Sequence, residues 1–95
     1  MLNLNLSFLN AFKYRDRSTI MTDILRSVHR NTGAKKTQIM QRARLNHIQT
    51  QKYLNYMVGC GYIYAEKSTF LLTDKGKKYL QVVEIQMMSS LSQFK

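Results

Sequence analysis

The chain has 95 residues, with 15 Lys and Arg against 5 Asp and Glu and a formal charge of +10. One small domain with one modest core is the fitting size class, and the charge selects polyanions as partners: nucleic acid first, an anionic membrane surface second. A single cysteine excludes an internal disulfide and fits a reducing compartment.

No apolar run reaches the roughly 20 residues needed to cross a bilayer. The opening Met1-Leu2-Asn3-Leu4-Asn5-Leu6 has no leading cation, unlike a secretory leader. A soluble, cytoplasmic, nucleoid-associated protein with no membrane partner is expected. Between Asp23 and Glu66 there is no carboxylate, yet Arg26, Arg30, Lys35, Lys36, Arg42, Arg44 and Lys52 fall there. Surface helices ordinarily mix signs, so a one-sign stretch of this length is suited to lie against phosphates.

Residues 1–14 read as an N-terminal extension. Leu2, Leu4, Leu6 and Phe8 alternate with polar residues at strand period, while Phe8, Leu9 and Phe12 would also suit a helix. The first clear helix is predicted from about Ser18 to Arg30, because Ile20, Met21, Ile24, Leu25 and Val28 make one apolar stripe. Ser18 or Asp16 can cap its start, and Asn31-Thr32-Gly33 signals its end.

A short second helix fits Lys35 to Ala43, with Ile39, Met40 and Ala43 inward. The break after it carries no Gly or Pro near Arg44. Asn46 then suits the N-cap of a third helix, from about His47 to Val58, that stops at Gly59-Cys60-Gly61. Cys60 reads as a small apolar side chain. The β-forming runs Tyr62–Glu66 and Thr69–Leu72 flank Lys67-Ser68 and predict a hairpin. Thr73 caps a last helix, where Asp74 suits the positive end of the dipole. Leu80, Val83, Met87, Leu91 and Phe94 repeat there in steps of three and four, the spacing of a coiled-coil dimerisation seam.

Three helices, a hairpin and a fourth helix make a mainly α winged helix-turn-helix, whose third helix enters the major groove. The expected division is 1–14 extension, 15–73 DNA-binding domain and 74–95 dimerisation helix. On the third helix Thr50, Tyr53, Leu54 and Met57 share the core side. Ile48, Lys52 and Asn55 point away, with Gln49, Gln51 and Tyr56 on the flanks; a rotated wheel would instead put Ile48 in the core. Gln and Asn can pair with adenine, Lys can reach guanine or phosphate, and Ile48 can meet a thymine methyl. Lys35, Lys36 and Thr37 open the second helix, where backbone N–H groups favour phosphate. Arg42 and Arg44 flank the turn, His47 starts the third helix, and Lys67 tips the wing; these fit contacts that position rather than read.

His29 and His47 with one cysteine give no zinc set. No acid/base pair or phosphate loop is present, so no enzyme and no cofactor is expected. Met87 and Met88 read as packing residues.

Gly33-Ala34-Lys35-Lys36-Thr37-Gln38-Ile39-Met40, then Ala43, Leu45, Gln49 and Tyr53-Leu54, then Gly61-Tyr62-Ile63 and Leu72-Thr73-Asp74-Lys75-Gly76, resemble the archaeal winged-helix regulator family. Within it they look most like the small basic winged-helix chromatin proteins of Sulfolobus-like archaea. The resemblance covers about residues 15–83. It implies an archaeal or archaeal-virus origin, duplex DNA binding as transcriptional regulator or chromatin architect, and a homodimer through an antiparallel coiled coil of the last helix. The N-terminal extension departs from the pattern, and Ser89, Ser90 and Ser92 weaken the seam. The rival expectation is a winged helix used for protein–protein assembly without DNA.

Overall fold

The structure, a computed structural model, describes residues 15–28 and 32–92, residues 90–92 by backbone alone. The expected extension 1–14, His29, Arg30 and Phe94 lie outside the described residues, as does the side chain of Leu91. The elements in chain order are α1 (Arg17–Val28), β1 (Ala34–Lys35), α2 (Lys36–Arg42), α3 (His47–Cys60), β2 (Ile63–Glu66), β3 (Thr69–Leu72) and α4 (Asp74–Ser92).

Helix α1 forms where its apolar stripe predicts. Asp16, rather than Ser18, caps it: the Asp16 carboxylate accepts the Thr19 amide at 2.8 Å. That hydrogen bond, then one from the Thr19 side chain, holds the Asp16 carboxyl below its ordinary value of 3.8. The buried hydroxyls of Thr22 and Ser27 donate to the carbonyls of Ser18 and Asp23 one turn back, at 2.9 and 2.7 Å, so the helix meets its own polar demand. Ile20, Met21, Ile24, Leu25 and Val28 are all buried. Each such side chain contributes about 1.5–3 kcal/mol when fully covered.

The core is completed by Ala34, Ile39, Ala43, Leu45, Leu54, Met57, Ile63, Leu72 and Leu80, with Tyr53, Tyr62, Phe70 and Tyr79 packed on its edge. No buried side-chain N or O among the described residues lacks a hydrogen-bond partner.

The hairpin pairs Ile63 with Leu72 and Glu66 with Thr69, and a third strand joins it: Ala34 and Lys35 lie antiparallel to Phe70 and Thr69. The sheet order is β1-β3-β2. A two-residue strand shows no periodicity, so the sequence holds no signal for β1.

Thr73 joins the end of α3 to the start of α4. Its hydroxyl donates to the Gly61 carbonyl at 2.5 Å and accepts the Gly76 amide at 3.0 Å. Gly76 then lies so close to the Tyr62 backbone that a Cβ there would sit 2.0 Å from the Tyr62 carbonyl oxygen. The first turns of α4 therefore belong to the core. Leu80, expected in a dimerisation seam, is 2% exposed inside its own protomer, and a side chain enclosed there has no surface to offer a partner. Beyond it α4 runs on beside α1, where Arg26 pairs with Glu84 and donates to Met87 Sδ at 3.3 Å, with Val82, Ile85, Met87 and Met88 at the surface. No helix of the described residues is long and apolar enough to cross a membrane.

Candidate nucleic-acid interface

Helix α3 has two chemically distinct faces. Thr50, Leu54 and Met57 are buried and Tyr53 is half-buried. Ile48 is 75% exposed, so it points outward as the helical spacing predicts, together with Gln51, Lys52 and Asn55. The orientation is fixed at both ends. Asn46 and Gln49 cap reciprocally: the Gln49 amide N–H donates to Asn46 Oδ1 at 2.7 Å and the Asn46 N–H to Gln49 Oε1 at 3.1 Å. At the other end Gly61, within the expected Gly59-Cys60-Gly61 stop, takes φ +83 as a left-handed cap; the helix runs to Cys60, two residues past Val58, with Gly59 inside it.

Helix α2 lies beside α3, and one surface network joins them. Lys36 Nζ donates to Gln51 Oε1 at 2.5 Å, and Gln51 Nε2 donates to Asn55 Oδ1 at 3.0 Å. Each acceptor oxygen is engaged within this ladder, so N–H groups and the Lys36 charge are its principal remaining chemistry. Lys35 and Thr37 are exposed at the start of α2. The Lys35 amide is taken by Gln38 Oε1 at 2.9 Å, so one of the backbone donors expected to meet phosphate there is already used.

The turn between α2 and α3 rests on Arg44, whose φ of 55° is left-handed. Leu45 behind it is buried. Arg15 spans this turn from outside: its guanidinium donates to the Ala43 and Arg44 carbonyls at 2.6 and 2.9 Å and to Asp23 at 2.8 Å. Arg42 is partly diverted from the surface, because one nitrogen donates to the Ser27 carbonyl of α1 at 2.9 Å. Arg44 and His47 are exposed around the turn.

The β1–β3 pairing sets Lys35 opposite Thr69, two residues from Lys67 at the hairpin tip, which also adopts a left-handed φ of 57°. The third strand thus brings the α2 lysines next to the wing. Lys36, Ile48, Gln51, Lys52 and Asn55 form one continuous group, with Lys35 and Lys67 at its wing side and Arg44 at its turn side. Sequence spacing did not single out Arg15 or Arg17. The Arg17 guanidinium lies 5.4 Å from the centre of the Tyr56 ring on the flank of α3, a contact across two elements that no local pattern reveals. No group of three His, Cys, Asp or Glu that could hold a metal ion occurs among the described residues.

Comparison with known proteins agrees with this geometry. A sequence profile described as winged helix-turn-helix matches residues 13–90. The fold is similar to a crystal structure of Sso10a-2, a DNA-binding protein from Sulfolobus solfataricus, with a TM-score of 0.63 and 29% identity over 83% of this chain and 87% of that one. No functionally curated protein matches the sequence.

Proposed function

The chain belongs to the winged helix-turn-helix family, and from that premise we propose that it binds duplex DNA with α3 in the major groove and the β2–β3 wing against the backbone. The observation that carries this reading is the coincidence of the acid-free stretch with the exposed face of the turn pair. Every carboxylate is missing between Asp23 and Glu66, and the surface there presents Lys36, Lys52 and the Gln51–Asn55 amides around an exposed Ile48. A carboxylate on that face would repel the phosphates.

Lys35, Lys36, Arg44, Lys52 and Lys67 are assigned to phosphate, Thr37 and His47 to the backbone beside them, and Ile48, Gln51, Lys52 and Asn55 to base edges. Gln49 contributes its amide N–H₂, since its oxygen is held by the cap. Arg42 is assigned a shared role, steadying α1 with one nitrogen and meeting phosphate with the rest. The charge favours broad affinity for any duplex, and the amide ladder adds a modest sequence preference, a combination that suits a nucleoid-associated cytoplasmic protein acting as regulator or architect.

A homodimer is part of the proposal. We place its contact on α4 after Val83, where Ile85, Met87 and Met88 are exposed apolar residues; residues 15–83 then act as the DNA-binding unit. Two such units on one dimer would engage two half-sites or bridge two duplexes.

Titration against duplex DNA at several salt concentrations tests the reading. With about five phosphates neutralised per domain, log affinity should fall against log salt with a slope of about −4 to −5 per domain. Absence of binding at about 50 mM salt rejects DNA binding and leaves the protein-assembly reading.

A further inference from the structure

A cleft of about 320 Å³ opens between the start of α1 and the flank of α3, lined by Arg17, Gln49, Lys52, Tyr53 and Tyr56. That volume is at the lower end of the range for small-molecule sites. Its chemistry is one-sided. Arg17 and Lys52 bring two positive charges, and the described ion pairs, Arg15–Asp23 and Arg26–Glu84, involve neither. Gln49 Oε1 is held by the Asn46 amide, so the side chain offers only its N–H₂ to the cleft. Asp16, the carboxylate next in the chain, is occupied by the Thr19 amide and is not among the lining residues. The two tyrosines supply flat apolar walls, and Arg17 already lies against the ring of Tyr56.

Donors and positive charge beside aromatic rings call for a ligand that joins an anionic acceptor to a flat ring. The geometry points to a binding site for a small aromatic carboxylate, whose carboxylate pairs with Arg17, Lys52 and the Gln49 amide while its ring stacks on Tyr53 and Tyr56. Gln49 and Lys52 are also assigned to DNA, so on the DNA reading given above the bound acid and the duplex compete. The acid's negative charge offsets Lys52, which phosphate would meet, and its ring blocks one flank of α3. This makes the chain a ligand-released DNA binder.

The test uses 2-naphthoate and the full chain, with calorimetry for binding and fluorescence anisotropy for a labelled duplex. Saturable binding with a Kd below about 1 mM is expected. Acetate, which has the charge without the ring, and 2-naphthylmethanol, which has the ring without the charge, should bind at least about tenfold more weakly, because each loses one of the two contacts. Arg17→Ala and Tyr56→Ala, checked for folding by circular dichroism, should each weaken naphthoate about tenfold. Arg26→Ala, whose partner is Glu84 outside the cleft, should leave it unchanged. Duplex affinity should fall as naphthoate saturates. No saturation up to about 10 mM, or binding that survives both cleft substitutions, overturns the site. Naphthoate binding with undiminished duplex affinity overturns the competition. A chain that takes naphthoate but never binds duplex refutes the DNA reading and not the site.

Discussion

Arg15 and Asp23 form an ion pair at 2.8 Å, and the same guanidinium reaches two carbonyls of the turn between α2 and α3. Asp23 sits mid-way along α1, so this pair fixes the first helix to the turn that sets the angle of the third. Arg15→Ala strands two carbonyls and a carboxylate that are partly shielded from water. A loss of about 1–3 kcal/mol is expected, read as a lower urea midpoint at unchanged slope. Arg15→Lys should recover little of it, since an ammonium lacks the planar fork that serves three acceptors at once. A variant as stable as the parent would show that the turn holds itself.

Arg44 separates backbone strain from charge. A left-handed conformation costs a non-glycine residue about 1–2 kcal/mol, whereas glycine costs about 0.5–1 kcal/mol in unfolded-state freedom. The two nearly cancel for Arg44→Gly, so its stability should change by less than about 1 kcal/mol in the stabilising direction. DNA affinity should still drop, with the salt slope shallower by about one. A fall in affinity with no change in slope would mean that Arg44 touches no phosphate.

That same residue shows where sequence reasoning succeeds and fails. The face of α3 was legible because Thr50, Leu54 and Met57 recur at helical spacing behind an Asn46 cap, and those are local signals. The turn was only weakly legible, because its left-handed position is held by an arginine instead of glycine or asparagine. The long-range clamp from Arg15, the pairing of Ala34 and Lys35 with β3, and the approach of Arg17 to Tyr56 join residues far apart in sequence, and no single stretch of sequence encodes them. Leu80 shared its spacing with Val83 and Met87, but spacing cannot say whether an apolar stripe meets its own domain or a second chain.

Acid should act on the α1 cap. The Asp16 carboxyl is held below 3.8 by the Thr19 amide, so its folded value lies under its unfolded one. Its contribution is present in full above the unfolded value and is lost as pH falls through the lowered folded value. The stability difference between the parent and Asp16→Ala should therefore hold from neutral pH to about pH 5 and shrink below about pH 4. Asp16→Asn keeps an acceptor oxygen without a titrating proton and should show no such acid limb. Urea midpoints across pH 3 to 7 check it, and a constant difference over that range would dismiss the cap as the cause.

Gly76 tests the close approach of α4 to the end of α3. A methyl group there would lie 2.0 Å from the Tyr62 carbonyl oxygen, far inside contact, although alanine is the better helix former by about 1 kcal/mol. The clash is with backbone, which cannot rotate away, so it should outweigh the propensity gain. Gly76→Ala is expected to destabilise by about 1–3 kcal/mol, measured by thermal unfolding. A rise in melting temperature would mean that α4 pivots freely about Thr73.

The α4 surface makes the last prediction, and it relocates the proposed dimer contact. Leu80 is 2% exposed, whereas Val82 and Ile85 are each 54% exposed, although all lie within two turns of one helix. Within the protomer, Leu80 is therefore a core position and Ile85 a surface one. Leu80→Asp should unfold the domain, because it places an unpaired carboxylate in the core at a cost of several kcal/mol. Ile85→Asp meets mostly solvent in an isolated protomer, so it should change the melting temperature of dilute protein little. In a dimer it would put a charge into an apolar seam on both chains. Sedimentation should accordingly show a dimer for the parent and a folded monomer for Ile85→Asp, with weaker duplex binding because the second DNA-binding unit is lost. If the variant sediments as the parent does, the contact between copies lies elsewhere or does not form, and the exposed apolar face of α4 has another use.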